Sequence, residues 1–152
     1  MNTDDFTIVV QMLIWKPVAD VFKAFIDPDI TTKFWFTNSS GSLEAGKTIK
    51  WEWDMLNASA LVKVEKIIEN ELIKFDWGGP IPKVEMEFKA YGDYATLVII
   101  KNYSEKITVG ELVREIIKST SDFTSVLDGL KAYLEHNIKL NLIEDKFPHE
   151  KS

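Results

Sequence analysis

The chain contains no cysteine, so it can form no disulfide, no thiolate nucleophile and no sulfur-ligated metal site. That composition suits a reducing compartment. The first residues, MNTDDF, carry acidic side chains where a secretory leader needs a basic start and an apolar run, so the expected location is the cytoplasm. Histidine is scarce as well. His136 and His149 are the whole supply, one off the apolar stripe of a C-terminal helix and one in a polar tail, and neither is expected to ligate a metal or move a proton. Lysine and arginine total 18 against 24 aspartates and glutamates, and the basic residues are scattered. A net charge of −6 without a basic cluster opposes binding to nucleic acid or to an anionic lipid surface. No apolar run approaches the ~20 residues needed to span a bilayer, so no membrane insertion is expected. Phosphate-loop, dinucleotide-binding, G-x-S-x-G and H-E-x-x-H patterns are all missing. No catalytic residue, cofactor or metal ligand is therefore assigned.

What the chain does have is hydrophobic periodicity. Its 152 residues suit one domain covering 1–152, with 144–152 a frayed polar tail. Phe6, Ile8, Val10, Met12 and Ile14 recur at period two and predict a strand. In PVADVFKAFIDP the apolar residues Val18, Val21, Phe22 and Phe25 fall at helical spacing, with Pro17 in the first turn and Pro28 at the exit. A second short helix is expected in PDITTKFWF, followed by a turn-rich segment from Thr37 to Gly46. Strands then succeed one another. Ile49, Trp51, Trp53 and Met55 alternate with Lys50, Glu52 and Asp54; Val62 and Val64 with Lys63 and Glu65; Ile73, Phe75 and Trp77 with Lys74 and Asp76; Val84, Met86 and Phe88 with Glu85, Glu87 and Lys89. Those ten charges predict a wet face opposite an aromatic one. TLVIIKNY is apolar on both faces, which leaves its orientation open.

A short helix in ELVREIIKS and a long one from about Asp122 to Asn141 complete the pattern. Phe123, Val126, Leu127, Leu130, Tyr133, Leu134 and Ile138 form a single stripe on the latter, and Gly129 inside it marks a close backbone approach. The fold class is α+β, a curved antiparallel sheet of six or seven strands around a long C-terminal helix, with two short helices after the first strand.

Two stretches carry a resemblance. PVADVFKAFIDPDITTKFW resembles the Pro-x-x-x-Val-Phe-x-Ala-x-x-Asp-Pro…Trp hallmark of the START-like (SRPBCC) superfamily. SDFTSVLDGLKAYLEHNIKLNLIEDKFP resembles the last helix of the branch related to the Aha-type activator of a heat-shock-protein ATPase. The resemblance implies a helix-grip fold whose sheet and last helix commonly enclose a hydrophobic cavity, used by different members for lipids, polyketides or plant hormones. It also implies a chaperone as a partner, although it covers only the C-terminal domain of such activators. Where that branch often has a glycine–tryptophan pair before the last helix, this chain has Asp122 and Phe123.

Five tryptophans are more than an ordinary core needs. Trp51, Trp53 and Trp77 share the predicted inner face, where they either line a pocket or pack against the helix, and Trp35 stands where a cavity entrance is expected. The expected function is binding of a hydrophobic or aromatic small molecule by Trp35, Trp51, Trp53, Trp77, Met86, Phe88, Phe123 and Tyr133. A cyclase or dehydratase using the same cavity is the alternative, with Tyr103, Tyr133, Asn137 or Asp76 as its polar groups. The third reading is a chaperone-associated interaction domain.

Overall fold

The alternation of apolar and charged residues becomes a sheet with one buried and one wet face. The computed structural model describes residues 6–104 and 109–148. Its elements in chain order are β1 (Phe6–Ile14), α1 (Val18–Ile26), α2 (Pro28–Thr31), β2 (Asn38–Ser39), β3 (Thr48–Trp53), β4 (Ala58–Ile68), β5 (Leu72–Asp76), β6 (Lys83–Tyr91), β7 (Ala95–Ser104), α3 (Val109–His136) and α4 (Leu142–Lys146). The seven strands form one antiparallel sheet in the order β1-β7-β6-β5-β4-β3-β2, and α3 packs across its inner face, which is the helix-grip arrangement.

Trp51, Val62, Val64, Ile73, Phe75, Val84, Met86 and Phe88 all point inward and are buried, while none of the ten outward charges is. A one-residue slip would have reversed every one of these assignments. On the outer face Lys83 pairs with Glu65 and Asp76, Lys74 with Glu65 and Glu85, and Lys101 with Glu87. Partly exposed pairs of this kind stabilise little singly, but they set opposite charges against each other at Lys63–Asp76, Lys74–Glu85, Asp76–Lys83 and Glu85–Lys101, and the carboxylates around Lys74 offset the like charge of Lys66 opposite it. β7, ambiguous by pattern, turns Val98, Ile100 and Asn102 inward. Ile99 on its outer side is nonetheless only 8% exposed, because its cross-strand neighbours are Gln11 on β1 and Glu87 on β6.

Four sequence expectations are corrected. β3 stops at Trp53, since Asp54–Leu56 form a 3-10 turn closed by Asn57 in the left-handed region (φ 49°), so Met55 is not a strand residue. The two C-terminal helices are one: α3 runs unbroken for 28 residues, ~42 Å at 1.5 Å per residue. The polar run Ser119–Asp122 reads as a break, yet poor helix formers cost only a few tenths of a kcal/mol each, less than the burial of Phe123 and Val126 returns. The helix ends at His136 and not Asn141, because Asn137 turns left-handed (φ 55°) and swings Ile138 out to 50% exposure. Finally, the tail expected to fray from residue 144 begins instead within α4, which folds back on α3 with Ile143 buried and the Lys146 Nζ donating to Ser121 Oγ at 2.8 Å. His149 lies outside the described residues.

One pair on α3 also finishes the sheet edge. Lys131 Nζ donates to the Leu13 carbonyl at 2.8 Å, and Glu135, held by Lys131 at 2.7 Å, accepts from the Trp15 N–H at 3.1 Å. Backbone groups that would otherwise invite another strand are thereby occupied. Burial raises the Glu135 carboxyl, and hydrogen bonds from Lys131 and the Trp15 N–H outweigh it, leaving the group below its ordinary value of 4.5. A depressed folded value stabilises the protein above the unfolded value and is lost as pH falls. Glu135→Gln should therefore flatten the stability loss measured by urea denaturation from about pH 5 downward, and a parallel loss in both proteins would refute this.

Leu130 has no exposed surface and sits between α3 and the sheet, so Leu130→Ala should cost about 2 to 5 kcal/mol in chemical denaturation. Gly129 is the sharper test. A Cβ there would stand 3.2 Å from Phe34 Cβ and 3.3 Å from the Phe34 carbonyl oxygen. Helix propensity alone favours Gly129→Ala by about 1 kcal/mol, but backbone cannot move aside like a flexible side-chain tip. The substitution should lower the melting temperature, and a rise would show that the Phe34 turn yields.

Candidate functional site

Capping and turn chemistry bring the site aromatics together. Asp27 caps α2, its side chain accepting from the Asp29 N–H at 3.0 Å, with Pro28 pre-set at the first helical position. Thr31 is fully buried and its hydroxyl reaches the Ala24 and Asp27 carbonyls. This short, pinned turn aims Trp35 at the interior. There its ring meets five others, with centroid distances of 4.8 Å to Trp51, 6.0 Å to Trp77, 6.0 Å to Phe123, 6.1 Å to Phe36 and 6.2 Å to Phe25. Trp77 stacks on Phe123 of α3 at 5.5 Å, and Phe36 stacks on Trp51 at 4.6 Å.

Between these rings and the N-terminal half of α3 opens a cleft of about 610 Å³. Trp35, Trp53, Trp77 and Phe123 form its aromatic wall, β4 and the Gly78–Ile81 loop a second side, and Ile143 and Phe147 its floor. Gly78 and Gly79 are both left-handed (φ 77° and 79°), a pairing costly for any residue with a Cβ. That bend carries the chain round so that the Trp77 Nε1 donates to the Ile81 carbonyl at 3.4 Å.

Four of the eight residues singled out by sequence thus line one volume, and four do not. Trp51, 1% exposed, lies behind Trp35 as packing. Met86 and Phe88 are buried deeper, Phe88 edge-on to Phe22 and Phe25 beneath α1. Tyr133 is half-buried ten positions beyond Phe123 on α3 and borders neither this cleft nor the second one described below.

Of the polar groups suggested for catalysis, Asp76 pairs with Lys83 on the outer face. Tyr103 also faces outward, its hydroxyl donating to Glu85 at 2.9 Å, and burial together with that carboxylate pushes its phenol above the usual tyrosine range. Asn137 caps α3 in solvent. The ionisable groups that do border the cleft, Glu115, Lys118 and Asp122, all come from α3. The described residues contain no group of three or more side chains disposed to hold a metal ion. Chemically, the cleft can desolvate and stack a flat apolar molecule.

Sequence reasoning missed Asn102, Ser119 and α4. Asn102 was legible as a polar residue at the inward parity of β7, in line with Val98 and Ile100, and it is 2% exposed. α4 offered no such signal, its segment being short and largely charged.

A second cavity of about 520 Å³ lies between the Phe34–Thr37 segment and residues 139–144. Trp35 and Ile143 border both cavities, so α4 separates them. The Asp145 and Phe147 amides donate to the Asn141 and Glu144 carbonyls. In Ile143→Ala the hydrogen-exchange protection of these two amides should fall while that of Leu127 and Leu130 holds. Unchanged protection would show that Lys146 alone anchors α4.

Comparison with known proteins agrees with the fold. A 29% identical Staphylococcus saprophyticus protein superposes with a TM-score of 0.77 over 89% of this chain and 96% of that one. DynU16, from the dynemicin biosynthetic locus, gives 0.78 at 16% identity over 88% of this chain and 48% of its own. The Aha1 dimer of Colwellia psychrerythraea gives 0.72 at 20% identity, covering 86% and 97%. No curated protein matches the chain in sequence. Residues 16–135, from the end of β1 through almost all of α3, match the family model described as activator of Hsp90 ATPase homolog 1-like protein, and the chain belongs to that family.

Proposed function

We propose that this protein binds a hydrophobic or aromatic small molecule in the cleft between the sheet and the N-terminal half of α3. One observation carries the reading: four aromatic side chains from four separate parts of the chain converge on one open volume of about 610 Å³, within the usual range for small-molecule sites. A core built only to be filled would close around these rings, as it does around Trp51 and Phe75. The likeness to DynU16 lends support, since a biosynthetic locus handles small organic molecules. With its ionisable groups confined to the α3 side, the cleft is better suited to holding a molecule than to converting it. N-phenyl-1-naphthylamine should brighten on titration into the protein and quench tryptophan emission, and Trp53→Ala should weaken binding about tenfold while far-UV dichroism is preserved, consistent with the loss of a stacking contact of about 0.5 to 1.5 kcal/mol. Absence of any saturable signal would rule out the proposal.

A second reading rests on a different surface. Val113, Ile116 and Ile117 stand on α3 at 60%, 36% and 66% exposure, and the family description names an Hsp90 ATPase activator. On that reading α3 docks on a chaperone ATPase. Ile117→Asp would then abolish a stimulation of ATPase turnover that Trp53→Ala leaves intact.

A further inference from the structure

We propose that the inner wall of the cleft selects ligands carrying a neutral hydrogen-bond donor, an aromatic alcohol or phenol and not an acid, with Ser119 as the acceptor; the inference rests on the reading of the cleft as a ligand site. Asn102 and Ser119 both border the cleft. The Asn102 Nδ2 donates to the carbonyls of Ile81 at 3.0 Å and Lys83 at 2.8 Å. Both of its hydrogens are used, and the amide cannot turn over, because that would set its oxygen against two carbonyl oxygens. Oδ1 is therefore held toward α3. Ser119 Oγ lies 2.6 Å from it, and of the two atoms only the hydroxyl has a hydrogen to give.

This chain of constraints fixes the polarity of Ser119. Its single proton is committed to Asn102, so Oγ offers the cleft lone pairs alone. The Trp77 Nε1–H is spent on Ile81 in the same way. Where Ser119 stands, the inner wall thus presents an acceptor beside aromatic faces, and the hydrogens of its neighbours Asn102 and Trp77 are already spent. A ligand hydroxyl completes the arrangement. A carboxylate or phosphate would bring acceptor against acceptor, and an ammonium would lose its hydration for one hydrogen bond at a residue only 7% exposed. A neutral hydrogen bond of this type is worth about tenfold in affinity.

Three probes of one shape decide it: 2-naphthol, 2-methoxynaphthalene and 2-naphthoate, each titrated into the full chain by calorimetry. The naphthol should bind about tenfold tighter than either of the others. Ser119→Ala should erase that margin while leaving 2-methoxynaphthalene unchanged, and Ser119→Thr, which keeps the hydroxyl, should retain it. Equal affinities, a preference for the naphthoate, or a margin that survives in Ser119→Ala would overturn the inference while leaving the cleft as a binding site. If none of the three binds, the inference and the proposed function fall together. Should Ser119→Ala fail to fold, the comparison in the unaltered chain and in Ser119→Thr is still decisive.

Discussion

Trp35 is the point on which the two layers of this fold depend. Sheet and helix can each be written as a pattern of apolar positions, but neither pattern says how they are joined. The indole of Trp35 touches rings from α1, β3, the β5–β6 loop and α3, so one side chain, supplied by a short turn, ties together parts of the chain far apart in sequence. Its contacts are mostly edge-on or tilted, which suits the ring quadrupoles and adds about 0.5 to 1.5 kcal/mol per pair beyond area burial. Gly129 belongs to the same constraint. The turn that delivers Trp35 passes so close to α3 that the helix has no room for a Cβ there.

That geometry also explains why a cleft exists. Planar rings meeting at steep angles leave wedges, and a cleft of about 610 Å³ opens beside Trp53 and Trp77. The polar elements then act around a shape that the aromatics have set. The inward Asn102 joins the β5–β6 loop to α3 through Ile81, Lys83 and Ser119, tying two walls of the cleft together. No buried polar side-chain atom among the described residues lacks a partner, so this network rigidifies the cleft without the penalty of an orphaned group.

The stability of the edges rests on different chemistry. β1 is paired on one side only, and the Lys131–Glu135 pair occupies the backbone groups of Leu13 and Trp15 at its end. The same helix therefore supplies core packing on one face and an edge stop on another. α4 packs on α3 and places Ile143 between two cavities.

Much of this was readable in the chain by itself. Strand registers followed from period-two alternation, because a charge cannot face the core and every side chain's face is set by its neighbour's. Likewise Phe123, Val126, Leu127 and Leu130 had to share a helix face, and the two motif stretches sufficed to indicate the helix-grip class. What only the tertiary structure decided depends on distance across the sequence. Trp51 and Trp53 share an alternation pattern, yet one is sealed behind Trp35 and the other borders the cleft, because that difference arises from a turn some fifteen residues away. The break expected at Ser119–Asp122 vanished for the same reason: local propensity is worth tenths of a kcal/mol, and burial across the sheet outweighs it. Asn102 and Ser119 are polar residues in two separate segments until the fold sets them 2.6 Å apart. Periodicity reports which face a side chain takes; which partner waits there is determined only when the whole chain has closed around it.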